Sequence, residues 1–93
     1  MKVIYVPRTP LGEFFYDPAS HEGIGITESG PVVVGMRPDY DHRIHRAYKE
    51  WEVDNHVFSQ LKDAALRRPY SPSDLEKALG YFPRAETHNS PSI

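Results

Sequence analysis

The chain has no cysteine. Disulfides, thiolate nucleophiles, Cys-ligated zinc and iron–sulfur clusters are therefore excluded, and the composition suits a reducing compartment. An excess of one charge sign is also missing: 11 Lys and Arg stand against 13 Asp and Glu, a formal net charge of −2. Proteins that grip nucleic acid by neutralising phosphates usually carry a basic surplus, so this balance argues against that class. Long apolar runs are absent. The longest, Val3–Val6 and Val32–Val34, fall far short of the ~20 residues needed to span a bilayer. No signal-peptide core follows Met1-Lys2, because Pro7 interrupts the apolar stretch; no membrane contact and a cytoplasmic location are the expectation.

What the chain does contain fits one small domain. Its 93 residues are 39% apolar and 26% charged, a globular balance, and a chain of this length can bury a core without a metal or disulfide staple. Six Tyr, four Phe and one Trp make that core aromatic-rich. Nine Pro and six Gly divide the chain into short elements. We expect a single α+β domain over residues 1–83 and a flexible C-terminal tail over 84–93, where Pro, Ser, Asn and Thr accumulate.

The N-terminal half reads as a four-stranded, mostly antiparallel β-meander. Lys2–Val6 is β-branched and aromatic and is stopped by Pro7 and Pro10; Gly12–Tyr16 is the second strand. Asp17-Pro18-Ala19-Ser20 makes a turn in which Asp bonds the backbone that follows it. Glu22–Thr27 and Pro31–Gly35 flank Glu28-Ser29-Gly30, a connection of hairpin length ending in a positive-φ glycine. Gly23 and Gly25 match no dinucleotide fingerprint, and within a strand they read as relief of crowding or a bulge.

From Pro38 the period changes. Ile44, Ala47, Tyr48 and Trp51 share one helical face, with Asp39 or Asp41 placed to cap it. Val57, Phe58, Leu61, Ala64 and Ala65 form a second stripe, rotated by roughly a quarter turn at ~100° per residue. This predicts a long helix that is kinked or broken near Val53–Asn55. Ser71-Pro72-Ser73-Asp74 has the signature of a helix start, and a short C-terminal helix ends at Gly80.

Both faces of the meander are apolar. Val3 and Tyr5 oppose Ile4 and Val6, Phe15 opposes Phe14 and Tyr16, and Val33 opposes Val32 and Val34. A sheet with one wet face should alternate apolar with polar residues. Either the helical segments wrap both faces or the sheet curls strongly, or another chain covers part of the second face.

Candidate chemistry is incomplete wherever it appears. Asp41, His42 and His45 are the candidate metal ligands, since imidazole and carboxylate suit Zn²⁺ or Fe. Their spacing matches neither His-Glu-x-x-His nor Glu-x-x-His, and no cofactor is implied. Histidines beside acids could instead make partner binding pH-sensitive. Arg43, Arg46 and Lys49 form a candidate phosphate-contacting patch, but Glu50, Glu52 and Asp54 follow at once and no nucleic-acid-binding motif accompanies them. Ser20-His21-Glu22 has triad residue types, yet adjacent residues cannot align as nucleophile, base and orienter.

The expectation is therefore a non-enzymatic protein-binding module. It would act as a small regulator or inhibitor by occupying a partner's surface, as proteins of mobile elements and phages do. The partner is another protein or a second copy of the chain. Phe14, Phe15, Tyr16, Tyr70, Tyr81 and Phe82 are the candidate contact residues, because aromatics are enriched at interfaces. A nucleic-acid-binding accessory protein and a small metal-dependent enzyme are the alternatives.

Overall fold

In the computed structural model, which describes residues 1–83, an α+β architecture is built on a five-stranded antiparallel sheet. The strands are β1 (Lys2–Thr9), β2 (Gly12–Asp17), β3 (Glu22–Thr27), β4 (Gly30–Gly35) and β5 (Lys49–Glu52), in the order β4-β3-β2-β1-β5. Two helices follow, α1 (Asn55–Leu66) and α2 (Pro72–Leu79). The expected tail at 84–93 lies outside the described residues.

One local device closes two of the hairpins. In Thr9-Pro10-Leu11-Gly12 and in Thr27-Glu28-Ser29-Gly30, the Thr hydroxyl donates to the Gly carbonyl, at 2.8 and 2.6 Å. The same hydroxyl accepts the N–H of the residue before the Gly, at 3.0 and 3.1 Å. Gly12 and Gly30 have φ of +78° and +119°, values that an L side chain rarely adopts. Pairing of Thr27 with Gly30 shortens the loop to Glu28-Ser29, with Gly30 inside the ladder. The β2–β3 turn is held by Asp17, whose carboxylate accepts from Ala19 N–H at 3.0 Å and from Ser20 Oγ at 2.7 Å.

Strand β1 runs past Pro7, where the sequence predicted a stop. β5 pairs with β1 only between Lys2 and Tyr5, so Pro7 lies beyond β5, where a missing N–H breaks no ladder bond.

The expected long helix is corrected. Its second half is α1, whose buried face is the anticipated set Val57, Phe58, Leu61, Ala64 and Ala65. Its first half is not helical. Residues 36–48 form a strap containing one short 3₁₀ turn (His42–Ile44), and residues 49–52 become β5. Two physical reasons explain the difference. Glu50-Trp51-Glu52-Val53-Asp54 alternates acid with apolar, the period of a strand. The margin of β1 also offers Lys2–Tyr5 as a partner, which satisfies the backbone of both strands. Ile44, Tyr48 and Trp51 consequently part company: Ile44 is 71% exposed, and the two rings go to opposite faces of the sheet.

The sheet carries a core on each face. On the first, Val3, Tyr5, Phe15 and Ile24 pack under α1 and α2, with Leu61, Leu79 and Phe82 reaching down to them. Phe15 is fully buried there; its ring centroid lies 5.1 Å from Tyr5, 4.9 Å from Phe82 and 6.4 Å from Trp51. On the second face Ile4, Val6, Phe14 and Tyr16 are covered by the strap, through Met36, Tyr40 and Tyr48. The doubly apolar sheet is thus covered by its own chain on both sides.

Gly23 makes the second core possible. A Cβ at Gly23 would stand 2.2 Å from the Phe14 ring, so the bare strand backbone is the floor on which that ring lies. Gly23→Ala is expected to destabilise the fold by about 1–3 kcal/mol, because a well-packed ring has to move. Urea unfolding measures this, and Phe14→Leu in the same background should recover part of the loss.

Candidate functional site

The strap is anchored by rings at both ends. Tyr40 meets Tyr16 edge-on at 5.2 Å, and His42 meets Tyr48 edge-on at 4.8 Å. Between them, Asp41 caps the 3₁₀ turn by accepting from Arg43 N–H at 3.0 Å. Arg43 also forks onto both oxygens of that carboxylate, at 2.9 and 3.3 Å. The bond from Arg43 holds the Asp41 carboxyl below the usual carboxylate range. Burial raises the phenols of Tyr16 and Tyr40, each reinforced by neighbouring groups, Asp17 for Tyr16 and Tyr16 and Asp41 for Tyr40.

These shifts set a pH dependence with a definite sign. A phenol whose folded pKa is raised contributes stability that is fully present below the free tyrosine value near 10 and is lost as pH rises through the folded values. The strap is therefore expected to loosen only in strong alkali. Tyrosinate absorbance should show Tyr16 and Tyr40 ionising late, and Tyr40→Phe should remove one of those late steps.

The candidate metal ligands do not converge. His42 Nε2 faces Glu50 at 3.4 Å, Asp41 is engaged by Arg43, and His45 turns toward Tyr40, with ring centroids 6.0 Å apart. Among the described residues no group of three or more His, Asp or Glu is placed to hold a metal ion. The basic patch is divided too: Arg43 is bound to Asp41, while Arg46 and Lys49 are exposed. Ser20 Oγ donates to Asp17, and His21 Nδ1 is buried with no hydrogen-bond partner, so these residues do not form a nucleophile–base pair.

The candidate contact aromatics separate by burial. Phe14, Phe15, Tyr16 and Phe82 are all 4% exposed or less, because each fills one of the two cores. In this fold Phe15, Tyr16 and Phe82 offer no ring to a partner. Tyr70 and Tyr81 remain accessible, at 40% and 54%. Tyr70 lies beside Gly30 at the tip of the β3–β4 hairpin, and Tyr81 borders a polar cleft between α1 and α2, alongside Asp63, Arg67 and Lys77.

An apolar groove is left where the strap meets the β1–β2 hairpin. It has a volume of about 320 Å³; Pro10, Leu11, Phe14, Met36 and Tyr40 line it, and His45 stands at its rim. Phe14 is its buried floor, whereas Leu11 and Met36 are half-buried and Pro10 is exposed. Leu11, Met36 and Tyr40 were not singled out by sequence. One local signal was available for Leu11: it occupies a turn position usually given to a polar residue or glycine.

No known protein family matches the chain, nor does any curated protein or solved structure. The fold and groove define a small α+β domain with an apolar recess framed by a strap and a hairpin. No helix is long and apolar enough to cross a membrane among the described residues.

Proposed function

We propose that this chain is a non-enzymatic protein-binding module, a small regulator or inhibitor that acts by occupying a partner's surface through this groove. The observation that carries the reading is the groove itself. A chain that buries both faces of its sheet still keeps Leu11 and Met36 half-exposed around a recess with an apolar floor. A recess of that composition accepts apolar side chains of a partner, the kind of contact that dominates binding energy when it is central and desolvated. Tyr40 and His45 at its border supply polar atoms that can orient the incoming segment. Exposed Tyr70 and Tyr81 lie elsewhere on the surface and act in this reading as peripheral contacts.

The test begins with capture of the partner from the native host, followed by affinity measurement with the purified pair. Leu11→Asp places a charge in the recess and is expected to weaken binding by at least about 30-fold, the effect of a ~2 kcal/mol hot spot. Tyr81→Ser is expected to change it by less than about fivefold. Equal affinity of the Leu11→Asp and parent chains would refute the groove as the contact. Salt-dependent binding to oligonucleotides that is lost on substituting Arg46 and Lys49 would instead favour a nucleic-acid accessory role.

A further inference from the structure

The two margins of the sheet are built differently. β5 sets Lys49, Glu50 and Glu52 around Trp51, the charged pattern that keeps an edge strand from pairing with another chain. β4 forms the opposite margin and carries no charged side chain over Gly30–Gly35.

Ladder parity fixes which groups of β4 face outward. Met36 N–H donates to the His21 carbonyl, and the register continues through Val34 opposite Gly23 and Val32 opposite Gly25. In an antiparallel ladder alternate residues bond the same neighbour, so Val34 and Val32 direct their N–H and C=O groups toward β3. Val33 and Gly35 direct theirs away from it. Pro31 shares that outward parity, where its missing N–H removes no bond to β3. Among the described residues nothing outside the sheet bonds the Val33 or Gly35 backbone.

We propose that β4 pairs antiparallel with β4 of a second copy, about a two-fold axis at Val34. In this register Val33 stands opposite the second copy's Gly35, and Gly35 opposite its Val33, each pair exchanging both of its N–H···O=C bonds. Val34 meets its own equivalent across the axis, and Val32 meets Met36. All three side chains lie on the strap-covered face and are half-buried in the single chain, so each has apolar surface left to cover. Pro31 falls opposite a residue beyond the strand end, and Tyr70, beside Gly30, stays clear of the axis. Charge matching favours a copy: a neutral strand meets an identical neutral strand with no like charges opposed. The contact is short, which places the dimer in the weak, small-interface class.

Sedimentation equilibrium of the full chain from about 10 μM to about 1 mM spans the dissociation constants of that class. Association is expected across this range, with hydrogen exchange at the Val33 and Gly35 amides slowing as concentration rises. Val34→Lys opposes two like charges on the axis and is expected to weaken association at least about tenfold. An equimolar mixture of Val34→Lys and Val34→Glu chains should restore it. A monomer throughout the range overturns the proposal, as does a dimer whose Val33 and Gly35 amides exchange at the monomer rate. If Val34→Lys fails to fold, the exchange measurement on the unaltered chain decides. Met36 borders both the groove and this register, whereas Leu11 belongs only to the groove and Val34 only to the pairing. Leu11→Asp therefore tests the groove and Val34→Lys the pairing, and the two proposals fail separately.

Discussion

Replacing Phe15 by alanine is expected to lower stability by about 3–5 kcal/mol, the cost of emptying a fully buried aromatic site. Phe15 is the hub of the helix-covered core. It lies within ring contact of Tyr5, Trp51 and Phe82, and through them joins β1, β5 and the segment after α2. A domain of this size has a net stability on the order of 5–10 kcal/mol, so the loss removes a large share of it. The thermal midpoint should fall by roughly 12–40 °C, taking about 4–8 °C per kcal/mol for a small domain. Phe15→Leu keeps most of the volume and should cost about 1.5 kcal/mol or less. Equal losses for the two substitutions would show that the site is not tightly packed.

Tyr40→Ala tests the second core. Tyr40 is half-buried, so the expected loss is lower, about 2–3 kcal/mol. Its more telling consequence is local. Tyr40 packs on Tyr16 and forms one wall of the groove; without it the strap loses its hold on Ile4, Val6, Phe14 and Tyr16. Binding of an apolar dye should rise while far-ultraviolet circular dichroism stays close to that of the parent, because a loss of this size leaves the strand ladders and the helix-covered core in place. Ile44→Ser, on the exposed tip of the same strap, should alter stability by less than about 0.5 kcal/mol.

These two substitutions also mark what was legible in the sequence. Elements governed by neighbours along the chain were readable. The α1 stripe from Val57 to Ala65, the Ser71 cap that accepts from Asp74 N–H at 3.3 Å, and the hairpin at Gly30 all follow from local patterns. The strap was not readable in this way. Ile44, Ala47, Tyr48 and Trp51 have helical spacing, but Tyr40 and Tyr48 find their partners on a sheet face formed by residues 4–16, and that non-local packing overrides a weak helical preference. β5 could have been recovered from the strict alternation at Glu50–Asp54.

The doubly apolar sheet signalled a need for cover on both sides, but the cover expected from another chain over part of the second face is supplied by this chain's own strap. What supplies the cover on the second side is a loop, not a helix. Sequence reasoning placed contact residues on the most aromatic strand, and the fold consumes Phe14, Phe15 and Tyr16 as core. The groove depends on strand order bringing residues 9–14 beside residues 36–45, a proximity that no local pattern encodes.

The central structural claim is that residues 36–48 close the second face of the sheet and leave one apolar recess beside Leu11. Nuclear Overhauser contacts of the Tyr40 ring test it most directly. Cross-peaks from Tyr40 to the Tyr16 ring are expected, together with His42 to Tyr48, matching centroid separations of 5.2 and 4.8 Å. A Tyr40 ring with contacts only to its sequence neighbours, over a Phe14 and Tyr16 open to solvent, would contradict the claim and with it the groove.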